Sequence, residues 1–305
     1  MANFLQQDFQ QLDQLDLLAR QVVEGFIIGL HKSPYHGFSV EFAEHRLHNT
    51  GDSIRDIDWK VYARTEKLYT KRFEEETNLR CQLVIDASSS MYFPKDRKPG
   101  ELNKMEFSCI AAAAIAYMLK KQRDATGLTV FSDAIQSHTG AKTSALHHQL
   151  LLNTLHQLMI HPQEQRTTST AQALHQIAEA IHKRSLVVIF TDLLDAGDNT
   201  DLFQALQHLR HCKHEVILFH VTDAAREMDF TFENHPYEFI DMETGASVKL
   251  QPHQVKEVYV KKMQERIAQF RLKCAQYKID WVEADISEGY RQILISYLLK
   301  RSKMI

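Results

Sequence analysis

The order of apolar and polar residues changes character three times along this chain. Near the amino terminus Leu12, Leu15, Leu18 and Val22 recur at spacings of three and four, which predicts an amphipathic helical segment. From Ser33 to about Arg80 that rhythm breaks into short β-prone pieces, dense alternating charges and turn formers such as "HNTGDS". This predicts a compact strand-and-turn module. Beyond it a regular alternation sets in. "CQLVIDAS", "GLTVFS", "SLVVIFTD" and "EVILFHVTD" are short, nearly continuous apolar runs, as strands covered on both faces should be. Between them lie helical stretches, including "LNKMEFSCIAAAAIAYMLKKQRD", "SALHHQLLLNTLHQLM" and "TAQALHQIAEAIHKR", the last with Ala171, Leu174, Ile177, Ala178 and Ile181 on one face. "AIQSHT" reads as a short edge piece. The last third holds a hairpin turning at "ETGA" and a helix with Val255, Tyr259, Met263, Ile267, Phe270 and Cys274 on one stripe. The strand "IDWVEADI" and the closing helix "GYRQILISYLLKRSK" follow it.

Strands alternating with helices at this spacing predict an α/β fold: a doubly wound, mostly parallel sheet with helices on both faces, plus a small amino-terminal strand-and-turn module. The expected divisions are a helical segment over 1–36, the charged module over 37–80, the α/β core over 81–225, and a carboxy-terminal part over 226–305 whose hairpin, helices and strand complete the sheet.

Composition narrows the function classes. With 305 residues, 44% hydrophobic and 25% charged, the chain can bury a sizeable core. A net charge of -3 gives no global attraction to nucleic acid or to an anionic membrane. Cys81, Cys109, Cys212 and Cys274 lie far apart with no C-x-x-C pair, which disfavours a zinc knuckle and fits a reducing compartment. The first residues lack the basic and then apolar run of a signal peptide, and no stretch approaches about 18 uninterrupted apolar residues. A cytoplasmic location without membrane insertion is expected.

In an open parallel sheet, ligands collect beyond the carboxyl ends of the strands. Three predicted element ends here carry oxygen-bearing side chains: Asp86, Ser88 and Ser90 in a D-x-S-x-S array, Thr168 and Thr170 where a helix starts in "TTSTAQAL", and Asp192 at the end of "VVIFTD". If the first array is extended, alternate residues point the same way and its carboxylate and hydroxyls converge. Two carboxylates with three hydroxyls, Asp86, Ser88, Ser90, Thr168 and Asp192, form an oxygen-only set suited to Mg2+ or Mn2+ rather than zinc. So few charges leave a divalent ion able to take a carboxylate from another molecule. Each piece also has a plainer reading, since Asp and Ser make ordinary turns and Thr caps helices.

"DASSSM", "TSTAQAL" and "FTD" resemble the metal-ion-dependent adhesion site of von Willebrand factor A domains, a likeness covering roughly Arg80 to Asp223. That resemblance implies direct binding of the ion by Ser88 and Ser90, with Asp86, Thr168 and Asp192 binding directly or through water. The preceding "GFSVEFAEHRLHNTGDSIRDIDWKVYARTEKLYTKRFEEE" resembles the segment that leads into such a core in the bacterial domain-of-unknown-function 58 family. Members of that family are commonly associated with MoxR-type AAA+ ATPases. Many carry amino-terminal membrane segments, and this chain shows none.

Other constellations have competing readings. Asp52, Arg55, Asp56, Asp58, Trp59 and Arg64 read as a salt-bridged face used for structure or docking, and the basic residues around them are matched by acids. His208, His211 and His214, spaced by three, read as helix-end and strand-start residues more readily than as a second metal site. His147 and His148 read as solvent-facing. Ser88, Ser89 or Ser90 with His220 as base would make a nucleophilic pair, but no G-x-S-x-G elbow and no phosphate loop occur. The expected function is a non-enzymatic, divalent-cation-dependent protein-binding module working with a MoxR-type ATPase, or another protein offering an acidic residue to the metal. A magnesium-dependent hydrolase of phosphate esters and a metal-free scaffold are the alternatives.

Overall fold

The computed structural model describes residues 15–24, 45–47, 69–71, 79–161, 170–194 and 199–302. The chain divides into two compact units, one formed by Met1–Phe26 with Leu79–Met304 and the other by Ile27–Asn78. In the second unit β1 (His45–Leu47) and β2 (Tyr69–Lys71) pair antiparallel, with His45 opposite Lys71 and Leu47 opposite Tyr69. The charged turn from Gly51 to Arg64 lies outside the described residues.

The first unit is built on a six-stranded sheet in the order β10-β7-β6-β3-β4-β5. Its strands are β3 (Arg80–Asp86), β4 (Ala125–Phe131), β5 (Ile135–Lys142), β6 (Leu186–Thr191), β7 (Glu215–Thr222) and β10 (Asp280–Asp285). All pairings are parallel except that of β5, which runs antiparallel along the edge of β4 and is longer than the short piece expected there. The strand expected in the last third joins the sheet beside β7. A separate hairpin, β8 (Tyr237–Ile240) with β9 (Ser247–Leu250), turns through Gly245 at a positive φ of 72°.

Alternation within the strands sends residues to two covered faces. Val84, Val187, Ile189, Val216 and Leu218 join a core completed by Ala173, Leu174, Ile177, Leu206, Phe270 and Cys274. Those partners come from α4 (Thr170–Ala180), α5 (Asn199–His211) and α6 (Pro252–Gln276). On the other face α2 (Lys104–Lys121), whose four consecutive alanines are fully buried, packs with α3 (Ala145–Ile160) and α7 (Arg291–Ser302). The result is a mixed α/β unit with a mostly parallel central sheet flanked by helices. Among the described residues no helix is long and apolar enough to cross a membrane.

Three expectations need correction. Helix α1 (15–24) buries Leu15, Ala19 and Val23, whereas Leu18 is 42% exposed. The leucine stripe marks a neighbouring face, because the side turned inward carries a small alanine that a hydrophobic count undervalues. Leu12 lies outside the described residues. In α6 only Pro252, Phe270 and Cys274 are buried, and Val255, Tyr259 and Met263 are partly exposed. Twenty-five helical residues extend about 37 Å, well past a six-residue strand of about 20 Å. His147 and His148 are buried rather than solvent-facing: the His147 Nε2–H donates to the Thr126 carbonyl at 2.9 Å, and His148 lies 3.7 Å from the Asp16 carboxylate.

Gly127, in the middle of β4, has no room for a side chain. A methyl there would lie 2.2 Å from the Gln82 amide oxygen and 2.6 Å from the Thr139 carbonyl, beside the bulge where β5 shifts register. The Gln82 amide bridges the two strands, donating to Thr129 Oγ1 at 2.9 Å and to Thr139 O at 3.1 Å. Gly127→Ala is therefore expected to destabilise the protein by about 1–3 kcal/mol, as overpacking does. The urea midpoint of the variant measures it.

Candidate functional site

β3 is flanked by its successor β4 on one side and by the later strand β6 on the other, so the winding of the chain reverses between β3 and β6. A crevice at such a reversal is where open α/β sheets place ligands. The register, with Ile85 opposite Phe190, brings the two following residues, Asp86 and Thr191, side by side. Asp192 is the next residue of the chain.

Asp86 is 1% exposed, and both of its oxygens are engaged. The Ser88 amide donates to Oδ1 at 3.0 Å, and the Thr191 hydroxyl donates to Oδ2 at 2.7 Å. The chain stays extended only as far as Ser88, then turns into a single 3-10 helix over Ser89–Tyr92. The Ser88 and Ser90 hydroxyls approach to 3.0 Å because of this turn. Strand alternation, the reason anticipated for their convergence, does not operate there. Ser90 also lies near the Asp192 carboxylate and favours its charged form. Asp192 Oδ1 accepts the Leu194 amide at 3.1 Å, while its Oδ2 accepts the Lys104 ammonium at 2.7 Å. The same ammonium donates to Glu227 Oε1 at 2.5 Å. Hydrogen bonds thus link Thr191, Asp86, Ser88 and Ser90 on one side, and Asp192, Lys104 and Glu227 on the other.

Of the residues singled out in the sequence, Asp86, Ser88, Ser90 and Asp192 meet here. Thr168 lies outside the described residues. Thr170 is the first residue of α4 and is buried. Lys104, Thr191 and Glu227 had not been foreseen. Lys104 carried one usable signal: it follows the N-cap Asn103 and so occupies the first helical position, where the macrodipole disfavours a cation. A lysine placed there needs carboxylates to hold it. Glu227 belongs to a single π-helical turn after β7, Ala224–Met228, and its Oε2 accepts the Asp223 amide at 2.9 Å.

The electrostatics follow from burial and pairing. Burial, reinforced by the nearby Asp192 charge, pushes Asp86 up to about 7 despite its hydrogen bonds from Thr191 and Ser88. Burial acts the same way on Asp192, but Lys104, with Ser90 and the Leu194 amide, outweighs it and holds that carboxyl below its usual range. Glu227 is raised, chiefly by burial. Burial alone would lower Lys104, yet its two carboxylate partners together hold it above its ordinary value. Two carboxylates, Asp192 and Glu227, therefore share one ammonium.

Donor chemistry and spacing fit a small hard cation. Octahedral Mg2+ at about 2.0–2.1 Å places neighbouring ligand oxygens about 2.9 Å apart, close to the 3.0 Å between the Ser88 and Ser90 hydroxyls. Nitrogen and sulfur ligands contribute nothing, and among the described residues no group of three or more His, Cys, Asp or Glu side chains could hold a metal. Among the described residues, His208 and His214 are engaged in other contacts and His211 is exposed. His214 accepts the Ser185 amide at Nδ1 and donates from Nε2 to Ala178 O, while His208 pairs with His175. His220, the candidate base, donates its Nε2–H to the Asp192 carbonyl at 3.2 Å and lies against Trp281. Burial pushes its imidazole down to about 4.

The sequence pattern of a family described as "Protein of unknown function DUF58" matches residues 44–269. The chain belongs to that family. Uncharacterized proteins of Mycobacterium bovis and Mycobacterium tuberculosis are 26% identical to it over 212 residues, covering 70% of this chain and 64% of theirs. The match thus spans less than two thirds of those relatives' length. Among solved structures, the conserved hypothetical protein BatB from Bacteroides thetaiotaomicron aligns over 74% of this chain and 98% of its own, at 14% identity and a TM-score of 0.45. An aerotolerance-related membrane protein from Bacteroides fragilis aligns over 74% and 99%, at 12% identity and a TM-score of 0.48.

The raised Asp86 has a testable consequence. Between its ordinary value of 3.8 and about 7, the folded protein holds a proton that the unfolded chain releases. Stability contributed through Asp86 is then full below pH 4 and lost as pH rises to 7. Asp86→Asn removes this dependence, so without divalent ions the variant should gain on the parent steadily from pH 4 to pH 7. Urea unfolding of both proteins across that range measures the difference.

Proposed function

We propose that this protein is a divalent-cation-dependent protein-binding module with a core of the von Willebrand factor A type, and that its site serves binding rather than turnover. The observation that carries the reading is the junction at the ends of β3 and β6. Two carboxylates with almost no exposure, Asp86 and Asp192, lie there beside two hydroxyls, Ser88 and Ser90, that stand at the spacing of adjacent octahedral ligands. Asp86, Ser88, Ser90 and Asp192, with Thr168, which lies outside the described residues, as the expected fifth ligand, would hold Mg2+ or Mn2+. Bound there, the ion supplies an electrophilic position for a carboxylate of a partner. The family resemblance names a MoxR-type AAA+ ATPase as that partner, with the pair acting in chaperone-like assembly or regulation.

One observation favours a second reading. The Lys104 ammonium already neutralises Asp192, as it would in a scaffold that binds partners without a metal. The two readings part on a direct test. Pull-down of a MoxR-type ATPase from the same cell should succeed in millimolar Mg2+, and should fail in EDTA or with Asp86→Ala. Capture that persists unchanged under both treatments selects the metal-free scaffold.

A further inference from the structure

Lys104 is too deliberately placed to be an incidental neighbour of this site. Its side chain is fully buried, and its ammonium lies 5.7 Å from the centre of the Phe93 ring. Its backbone is pinned on both sides: the amide donates to Phe93 O at 3.0 Å, and the carbonyl accepts the Ser108 hydroxyl at 2.7 Å. Asn103 and Glu106 close a capping box around the same helix start. The tip of this anchored stem contacts one carboxylate of the candidate metal site, Asp192, and one carboxylate outside it, Glu227.

We propose that Lys104 is a resident counter-cation that competes with the divalent ion for Asp192, with Glu227 as the partner it keeps when the ion is bound. The proposal rests on the metal-binding reading and assigns the residue that sets the strength and electrophilicity of that site. Asp192 Oδ1 is committed to the Leu194 amide and Oδ2 to Lys104, so an ion taking Oδ2 must share it or displace the ammonium. Displacement without a second partner would strand a charge in a dry interior, which is far costlier than exchanging one pair for another. Glu227, held by the Asp223 amide, removes that difficulty. With all three carboxylates ionised, Asp86, Asp192 and Glu227 together with Lys104 carry a formal charge of -2, the amount one divalent ion cancels. Paired with Glu227 once the ion is bound, Lys104 cancels that extra carboxylate, so the ion is offset by its two ligand carboxylates alone and stays open to an incoming acidic group.

The competition predicts opposite effects from its two partners. Lys104→Met, which keeps the stem's length and apolar character but loses the ammonium, should bind Mn2+ at least about tenfold more tightly, the low end of what one charge-assisted hydrogen bond contributes. Glu227→Gln weakens the second hold on Lys104, leaves the ammonium on Asp192, and should bind Mn2+ more weakly. Isothermal titration with Mn2+ reads both, with Asp86→Ala as the control that abolishes binding. Lys104→Met leaves Asp192 unpaired and will melt early, so thermal unfolding with and without Mn2+ is the second measurement. Its metal-induced rise in melting temperature should exceed that of the parent protein. If the parent binds Mn2+ in an Asp86-dependent manner and Lys104→Met binds no more tightly, the competition is overturned while the metal site stands. If neither protein binds Mn2+ at millimolar concentration, the metal-binding reading and this proposal fall together.

Discussion

Asp86 and Asp192 stand at the ends of two adjacent parallel strands, each almost completely removed from water. Carboxylates so placed repel one another and lose their hydration, a combination that costs several kcal/mol per ion unless something compensates. Much of what surrounds them is that compensation. Thr191 and the Ser88 amide turn their hydrogens on Asp86, and the Leu194 amide turns its own on Asp192, with Ser90 nearby. Lys104 spans from Asp192 to Glu227. The compensation is incomplete in formal charge.

The scaffold supplies what such a site needs. β3 and β6 lie inside the sheet, with neighbours on both sides and helices on both faces, so the strand ends that carry the acids have little freedom to relax apart. Neighbouring elements fix the loops further. The Arg266 guanidinium of α6 donates to the Leu193 carbonyl at 2.5 Å, beside the left-handed turn that Leu193 makes. His220 of β7 holds the Asp192 carbonyl from the next strand. Rigid elements thus hold these side chains in place.

Much of this architecture was legible in the residue pattern. Continuous apolar runs such as "SLVVIF" and "EVILFHV" announce strands covered on both faces, and their alternation with helices announces a parallel sheet. That Asp86 and Asp192 share one rim followed from a rule about polar residues just past parallel strands, whereas Ser88 and Ser90 meet through the 3-10 turn and not through the strand alternation expected of them. Burial within helices was read less well, because periodicity marks an apolar stripe without saying how far the neighbouring layer reaches. Helix α6 outruns the sheet, α1 turns Ala19 inward in preference to Leu18, and His147 and His148, read as solvent-facing, are buried.

The chain by itself determined the strands, the helices between them and the oxygen-bearing side chains at their ends, because those depend on residues close in sequence. Only the folded structure decided which charges meet. Lys104 and Glu227 are separated by more than a hundred residues, and Asp192 lies between them in the chain. No local pattern couples a lysine at a helix start to an acid in a turn after β7. That coupling arises because the parallel sheet sets the ends of β3, β6 and β7 next to one another, and because a buried charge must find its partner wherever the fold places it.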